Sequence, residues 1–384
     1  MLNVPVKSWS SLALVLALGT FAVGTDAFVV AGFLPEMAAS LHVSEAAAGQ
    51  SVTVFAAAYA IGSPVLATLT ARLPRRWLLV GALVVLGLAN LGSALAPSLP
   101  VLIATRVLAA LGAAAYTPNA GAVAASLVRP ESRARALAVV VGGLTIATAL
   151  GVPLGNVAAQ WLGWRSALGL VAVLSVVVAA GVFAIMPWLP GGPRVPLRTR
   201  LAVLRHPAVV RVLPLTVLGM GAAYTAYAYS VPALEGVGVS AIGLMLFLYG
   251  VGAVTGNLLS GYATDRWGAR RVLTIGYALM ALTMGVLAWL AASGAVIPVG
   301  VGALMVVWGA SSWCQTPPQQ HRLISASPGE AALLVSLNSS AIYAGIGLGT
   351  VLGGLTLTSG ASWMYGTAAL LALAALAFTT SHPR

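Results

Sequence analysis

Twelve long apolar runs divide this chain, and each is close to the roughly 20 residues a helix needs to cross hydrocarbon. They fall near 11–35, 47–70, 77–97, 100–127, 134–159 and 165–189, then near 209–233, 240–264, 271–292, 296–319, 330–356 and 361–380. Lipid offers no partner to backbone N–H and C=O groups, so runs of this length point to a bundle of spanning helices. Composition agrees. Only 7% of residues are charged, against about 25% in a soluble domain. In water, a surface built from such a chain would be a set of large apolar patches. The 43 glycines suit helices whose backbones approach closely in a membrane. The first run, Ser11 to Pro35, is too long for the apolar part of a signal peptide and is read as a retained helix.

The basic residues orient the bundle. With the N-terminus in the cytoplasm, 17 of the 19 Lys and Arg residues fall on the cytoplasmic side. These are Lys7; Arg72, Arg75 and Arg76; Arg129, Arg133 and Arg135; Arg194, Arg198, Arg200, Arg205 and Arg211; Arg266, Arg270 and Arg271; Arg322; and Arg384. Arg165 lies on the outer side and Arg106 inside the fourth run. This is the positive-inside pattern, and it places both termini in the cytoplasm. It also accounts for the net charge of +12: the arginines face anionic lipid head groups, and no nucleic-acid partner is implied. One cysteine and four scattered histidines, at 42, 206, 321 and 382, give no disulfide and no metal site. No G-x-x-x-x-G-K-[ST] loop occurs, so nucleotide-driven pumping is not expected and no cofactor is implied. A membrane enzyme should cluster His, Asp or Glu at one face, and a sensor should carry a soluble domain; the sequence shows neither.

The chain repeats itself at an offset of 194 residues. GSPVLATLTARLPRR, from Gly62, aligns with GNLLSGYATDRWGAR, from Gly256. At the same offset Gly151 and Gly155 match Gly345 and Gly349. The proline-rich basic stretch 190–207 separates a six-run half, 1–189, from a second, 208–384. Paired six-helix halves are the layout of two parallel repeats around a central cavity, which suits alternating access.

The motifs carry a family resemblance over nearly the whole chain, from Leu12 to about Thr380. GYATDRWGARR, Gly261 to Arg271, resembles the loop motif between the second and third helices of a half in the major facilitator superfamily. The first-half copy keeps Arg72, Arg75 and Arg76 but has Ala67, Ala71 and Pro74 where the motif has Gly, Asp and Gly. The fourth run has LIATRVLAALG, with Arg106 where that family places a buried arginine. The fifth has GGLTIATALGVPLG, with Gly143, Gly151, Pro153 and Gly155, similar to the motif of antiporters in the superfamily. The sequence most resembles the twelve-helix drug–proton antiporter branch, among bacterial arabinose, purine and chloramphenicol exporters. The resemblance implies an all-α membrane fold of twelve helices in two pseudo-symmetric six-helix bundles, in the bacterial inner membrane, working as a monomer. It also implies that Gly261, Asp265, Arg266, Gly268, Arg270 and Arg271 gate the second half. The first-half gate is expected to be weaker or made differently.

Asp26 is the one acidic residue placed inside a run. Isolated charge in hydrocarbon is costly, and is functional or paired. Arg106 falls at a similar depth. Two readings stand: Asp26 carries the coupling proton with Arg106 beside it, or the two form a structural pair. Arg106 meeting a substrate is a lesser alternative. In related exporters the acid sits where this chain has Ala27, one position on, and one residue turns a helix by about 100°. The family geometry suggests a cavity drawing on Tyr116, Asn119, Tyr224, Tyr227, Asn257, Trp308, Gln315, Asn338 and Tyr343. Each of these has a plain alternative as helix–helix glue. The expected function is proton-coupled export of drug-like or other small lipophilic solutes; the alternative is export of a metabolite such as a sugar, nucleoside or amino acid.

Overall fold

The computed structural model describes residues 6–128, 133–192, 205–326 and 331–381, with 196, 198 and 202. Much of the stretch 190–207 lies outside the described residues, as do Arg129, Arg194, Arg200 and Arg384 of the charge map. Every regular element among the described residues is helical. The first half holds α1 (Val6–Phe28), a 3-10 turn (Val29–Gly32), α2 (Leu34–Ser40), α3 (Glu45–Leu69), α4 (Arg75–Ala94), α5 (Leu99–Ser126), α6 (Arg133–Ile146), a π turn (Ala147–Gly151), α7 (Val152–Leu162) and α8 (Trp164–Ile185). The second holds α9 (Pro207–Tyr227), α10 (Ser230–Glu235), α11 (Ile242–Trp267), α12 (Ala269–Ser293), α13 (Pro298–Trp313), α14 (Thr316–Ala326), α15 (Ala331–Leu357) and α16 (Ala361–Ser381).

Eleven helices among the described residues are long and apolar enough to cross a membrane. The tenth run differs from the single span expected over 296–319. Its first piece, α13, has 16 residues, about 24 Å at 1.5 Å per residue. The chain breaks at Cys314 and Gln315 and restarts as α14, with Pro317 and Pro318 in the new first turn. Proline lacks the N–H an interior turn needs and disfavours helix in the residue before it, so a prolyl pair suits a helix start. Arg322, expected in a loop, sits on α14. The fifth run, where glycines and a proline suggest a kink, holds a π turn just before Pro153, a common site of helix bending.

Packing repeats between the halves as the 194-residue offset predicts. α1 lies on α6 and α9 on α15; α4 lies on α8 and α12 on α16; α3 lies on α5 and α11 on α13. The repeated glycines make the first of these contacts close. A Cβ at Gly151 would run into Thr25 and one at Gly155 into Val29. In the second half, a Cβ at Gly345 would lie 2.6 Å from Val217 O, and one at Gly349 2.9 Å from Thr225 N. Gly143 likewise abuts α1, where a Cβ would lie 2.9 Å from Phe21 N. The halves meet along two seams, α3 against α15 and α11 against the π turn and α7.

Exposed tryptophans mark two levels, a signal the charge map alone did not use. Trp77, Trp188 and Trp267 lie at the arginine-rich ends of helices, and Trp161, Trp289 and Trp363 at the opposite ends. Tryptophan favours both membrane–water boundaries.

Candidate transport site

α1 brings the charge site and an aromatic site together at its last turn. Asp26 and Arg106 are both fully buried and form an ion pair through Asp26 Oδ1 and Arg106 Nη1. Arg106 Nη2 also donates to the Asp26 carbonyl at 3.0 Å. The guanidinium lies over the Phe55 ring, 4.5 Å from its centroid, a favourable cation–π position. The Asn90 side chain lies beside the carboxylate. Asp26 Oδ2 and Arg106 Nε have no hydrogen-bond partner among the described residues. Shifting the acid one place from its usual position therefore still delivers it to the arginine.

Two residues on, Phe28 points into a cluster of rings. It lies 5.9 Å from Tyr224 and 5.9 Å from Trp313. Tyr224 touches Tyr227 at 5.1 Å, and Tyr227 touches Tyr249 at 4.5 Å and Trp308 at 6.2 Å. Trp308 continues to Tyr249 at 5.2 Å and Tyr365 at 6.2 Å. All but Phe28 belong to the second half. Tyr343, on α15, stacks on Tyr59 of α3 at 3.7 Å and lies 6.1 Å from Phe55. The seam between the halves thus reaches the ring that carries Arg106.

The candidate cavity residues separate into two groups. Tyr224, Tyr227, Trp308 and Tyr343 join the aromatic region. Tyr116, Asn119, Gln315 and Asn338 have partners within their own half. Tyr116 donates to Leu16 O at 3.1 Å and packs against Gly19. Asn119 accepts from Arg75 Nη1 at 3.0 Å. Gln315 accepts from Tyr277 at 3.0 Å, and Asn338 Oδ1 from Thr216 at 3.1 Å. Asn257 is half-buried near the middle of α11. Phe28, Phe55, Tyr59, Tyr249 and Tyr365 were not singled out in the sequence. Only the crossing of helices far apart in the chain assembles them.

The two inner loops are built differently. In the first half Arg75 N donates to Leu189 O at 2.9 Å, and Gly192 N to Ala71 O at 2.8 Å. Arg76 donates to Phe183 O and lies 4.3 Å above its ring. Arg72 is exposed. In the second half Gly268 has φ +82°, a left-handed value that glycine alone adopts freely, and α12 starts immediately after it. The equivalent Pro74 has φ −55°. Arg270 donates to Thr380 O at 2.8 Å. Gly261 is half-buried, and Asp265, Arg266 and Arg271 are exposed. Asp265 makes no ion pair among the described residues.

The comparisons agree with this architecture. The family model described as Major Facilitator Superfamily matches residues 16–240 and 215–384. The inner membrane transport protein YdhP of Escherichia coli strain K12 is 33% identical over 92% of this chain and 90% of its own. A chloramphenicol resistance protein of Streptomyces lividans is 33% identical over 93% of each. The MFS-type transporter YbcL of Bacillus subtilis is 32% identical over 89% of this chain and 87% of its own. The partially occluded, inward-open xylose transporter XylE from E. coli superposes with a TM-score of 0.77 at 17% identity, covering 98% of both chains, a likeness of fold. The chain belongs to the major facilitator superfamily, as a multi-pass membrane protein for secondary transport of small molecules.

Proposed function

We propose that the protein is a proton-coupled exporter of a small organic metabolite, in which the halves 1–189 and 208–384 rock about the basic linker 190–207. The observation that carries this is the buried Asp26–Arg106 pair two residues before Phe28. Charge this deep in a spanning bundle is costly and marks function. Proton loading of Asp26 removes the anion that holds Arg106. The end of α1 is then free to shift, and Phe28 moves with it. Solute entering beneath Phe28 acts on the same turn from the other face. Proton and solute compete for one helix end, which is the requirement of exchange. Both termini and the linker lie in the cytoplasm, and one chain suffices.

A narrow range is favoured by the packing of the aromatic region, where directly touching rings leave little adaptability. Promiscuous sites rely on flexible, Met-rich or loop-rich surfaces. The second reading is a drug–proton antiporter. It is favoured by the resistance protein from S. lividans and by the Gly143–Gly155 motif packed against α1. Counterflow in liposomes against single metabolites and unrelated lipophilic drugs separates the two. A response to one metabolite class supports the first, and a response to several drugs the second. With a cargo in hand, its addition to purified protein in weakly buffered solution should release protons. No release from the wild type overturns the coupling.

A further inference from the structure

We infer that the aromatic cluster is a binding subsite for the uncharged, flat, acceptor-rich part of the cargo, and that it selects against polyols and cations. The inference rests on the reading of the protein as a solute carrier, but not on proton coupling.

Six donors in the cluster have no hydrogen-bond partner among the described residues. Four of them are the buried hydroxyls of Tyr224, Tyr227 and Tyr365 and the buried indole Nε1 of Trp308. None of these side chains is more than 1% exposed. A buried donor left unmade costs on the order of 1–3 kcal/mol. Phenylalanine would fill nearly the same volume as tyrosine without that cost. Four such groups on rings in contact are therefore kept for a partner that is absent when the rings close on one another. The Tyr249 hydroxyl and Trp313 Nε1 are unpartnered too, but Tyr249 faces Ser312 and Trp313, so these two form wall.

The chemistry of the partner follows from what the cluster lacks. Indole only donates, and phenols readily do. Among the described residues no carboxylate or amide accepts from these four donors. The amide oxygens of Gln315 and Asn338 already accept from Tyr277 and Thr216. A polyol would bring many donors and meet only the phenol oxygens as acceptors among these rings. A cation needs an open ring face, yet Tyr224–Tyr227, Tyr227–Trp308, Tyr249–Trp308 and Trp308–Tyr365 meet edge to face, at 63°, 83°, 79° and 79°. Phe28 is the single first-half ring in the cluster, lying against both Tyr224 and Trp313. When the halves part it withdraws, and the space it leaves fits a flat ring.

Titration of purified protein, with no pH gradient, tests the subsite using 4-nitrobenzamide, 4-ethyltoluene and D-sorbitol. The first should bind at least about tenfold more tightly than either of the others. Tyr227→Phe and Trp308→Phe should each weaken 4-nitrobenzamide about tenfold, near the value of one hydrogen bond, and leave 4-ethyltoluene unchanged. If either variant melts early, Tyr224→Phe and Tyr365→Phe serve in its place. Tighter sorbitol binding, no binding of 4-nitrobenzamide, or phenylalanine variants that bind it as the wild type does would overturn the inference. Intact binding ratios in Asp26→Asn, together with lost proton release, would fault the coupling and leave the subsite standing.

Discussion

The two halves hide their polar chemistry in opposite forms. The first half buries one full charge of each sign, Asp26 and Arg106, bound to each other and capped by Phe55. The second buries neutral donors on touching rings, Tyr224, Tyr227, Trp308 and Tyr365. Charge in hydrocarbon is costly to separate, because an orphaned ion is far costlier than an orphaned hydroxyl. Neutral donors can be uncovered, filled and closed again at modest cost. The account therefore assigns the proton to the first half and the cargo to the second, with the end of α1 between them.

The largest expected effect tests whether the charges are a matched pair. Asp26→Ala leaves a guanidinium that stays ionised, and should destabilise the protein by about 3–5 kcal/mol. Arg106→Ala leaves a carboxyl that can neutralise itself by taking a proton, and should cost clearly less. Thermal melting of the two variants checks the order; equal losses would break the contrast between charged and neutral halves. A smaller effect is expected at the seam. Tyr343→Leu removes the stack on Tyr59, worth about 0.5–1.5 kcal/mol beyond its area, whereas Tyr343→Phe should melt as the wild type does. The smallest effect on stability is expected at the second-half loop. Asp265 is exposed and makes no ion pair among the described residues, so Asp265→Asn should leave the melting temperature unchanged while slowing transport, by weakening the inner gate of another conformation. An unaltered transport rate at equal protein level would remove Asp265 from the gate.

The loops sharpen the same comparison between halves. The complete motif at 261–271 needs Gly268 because its φ is positive. The degenerate copy has Pro74 there and is tied instead by backbone bonds from Arg75 to Leu189 and from Gly192 to Ala71. A first-half gate that is weaker or made differently was expected from the missing aspartate. The use of residues 189–192 was not, because a proline- and glycine-rich stretch reads as a linker.

Spans, repeat and charge asymmetry were legible because membrane helices must be long and apolar and must show their arginines to one side. Asp26 and Arg106 were legible because charge in a span is conspicuous. The broken tenth run was readable in principle from Pro317 and Pro318, but apolar length concealed it. The aromatic cluster was half hidden. Tyrosine and tryptophan are common packing residues, and nothing local distinguishes Tyr249 in the cluster from Tyr116, which bonds to Leu16 within the first half. Phe28 becomes informative only once α1 is seen to end there and the chain to tighten into a 3-10 turn.

The central claim is that Asp26 carries the coupling proton. Asp26→Asn keeps the size and a carbonyl oxygen for Arg106 but cannot titrate. Both proteins would be reconstituted in liposomes with an imposed pH gradient and accumulation of the cargo found by counterflow measured. The account predicts that the wild type concentrates cargo and that Asp26→Asn only equilibrates it. Full gradient-driven accumulation by Asp26→Asn would contradict the account and leave Asp26 as a structural partner of Arg106.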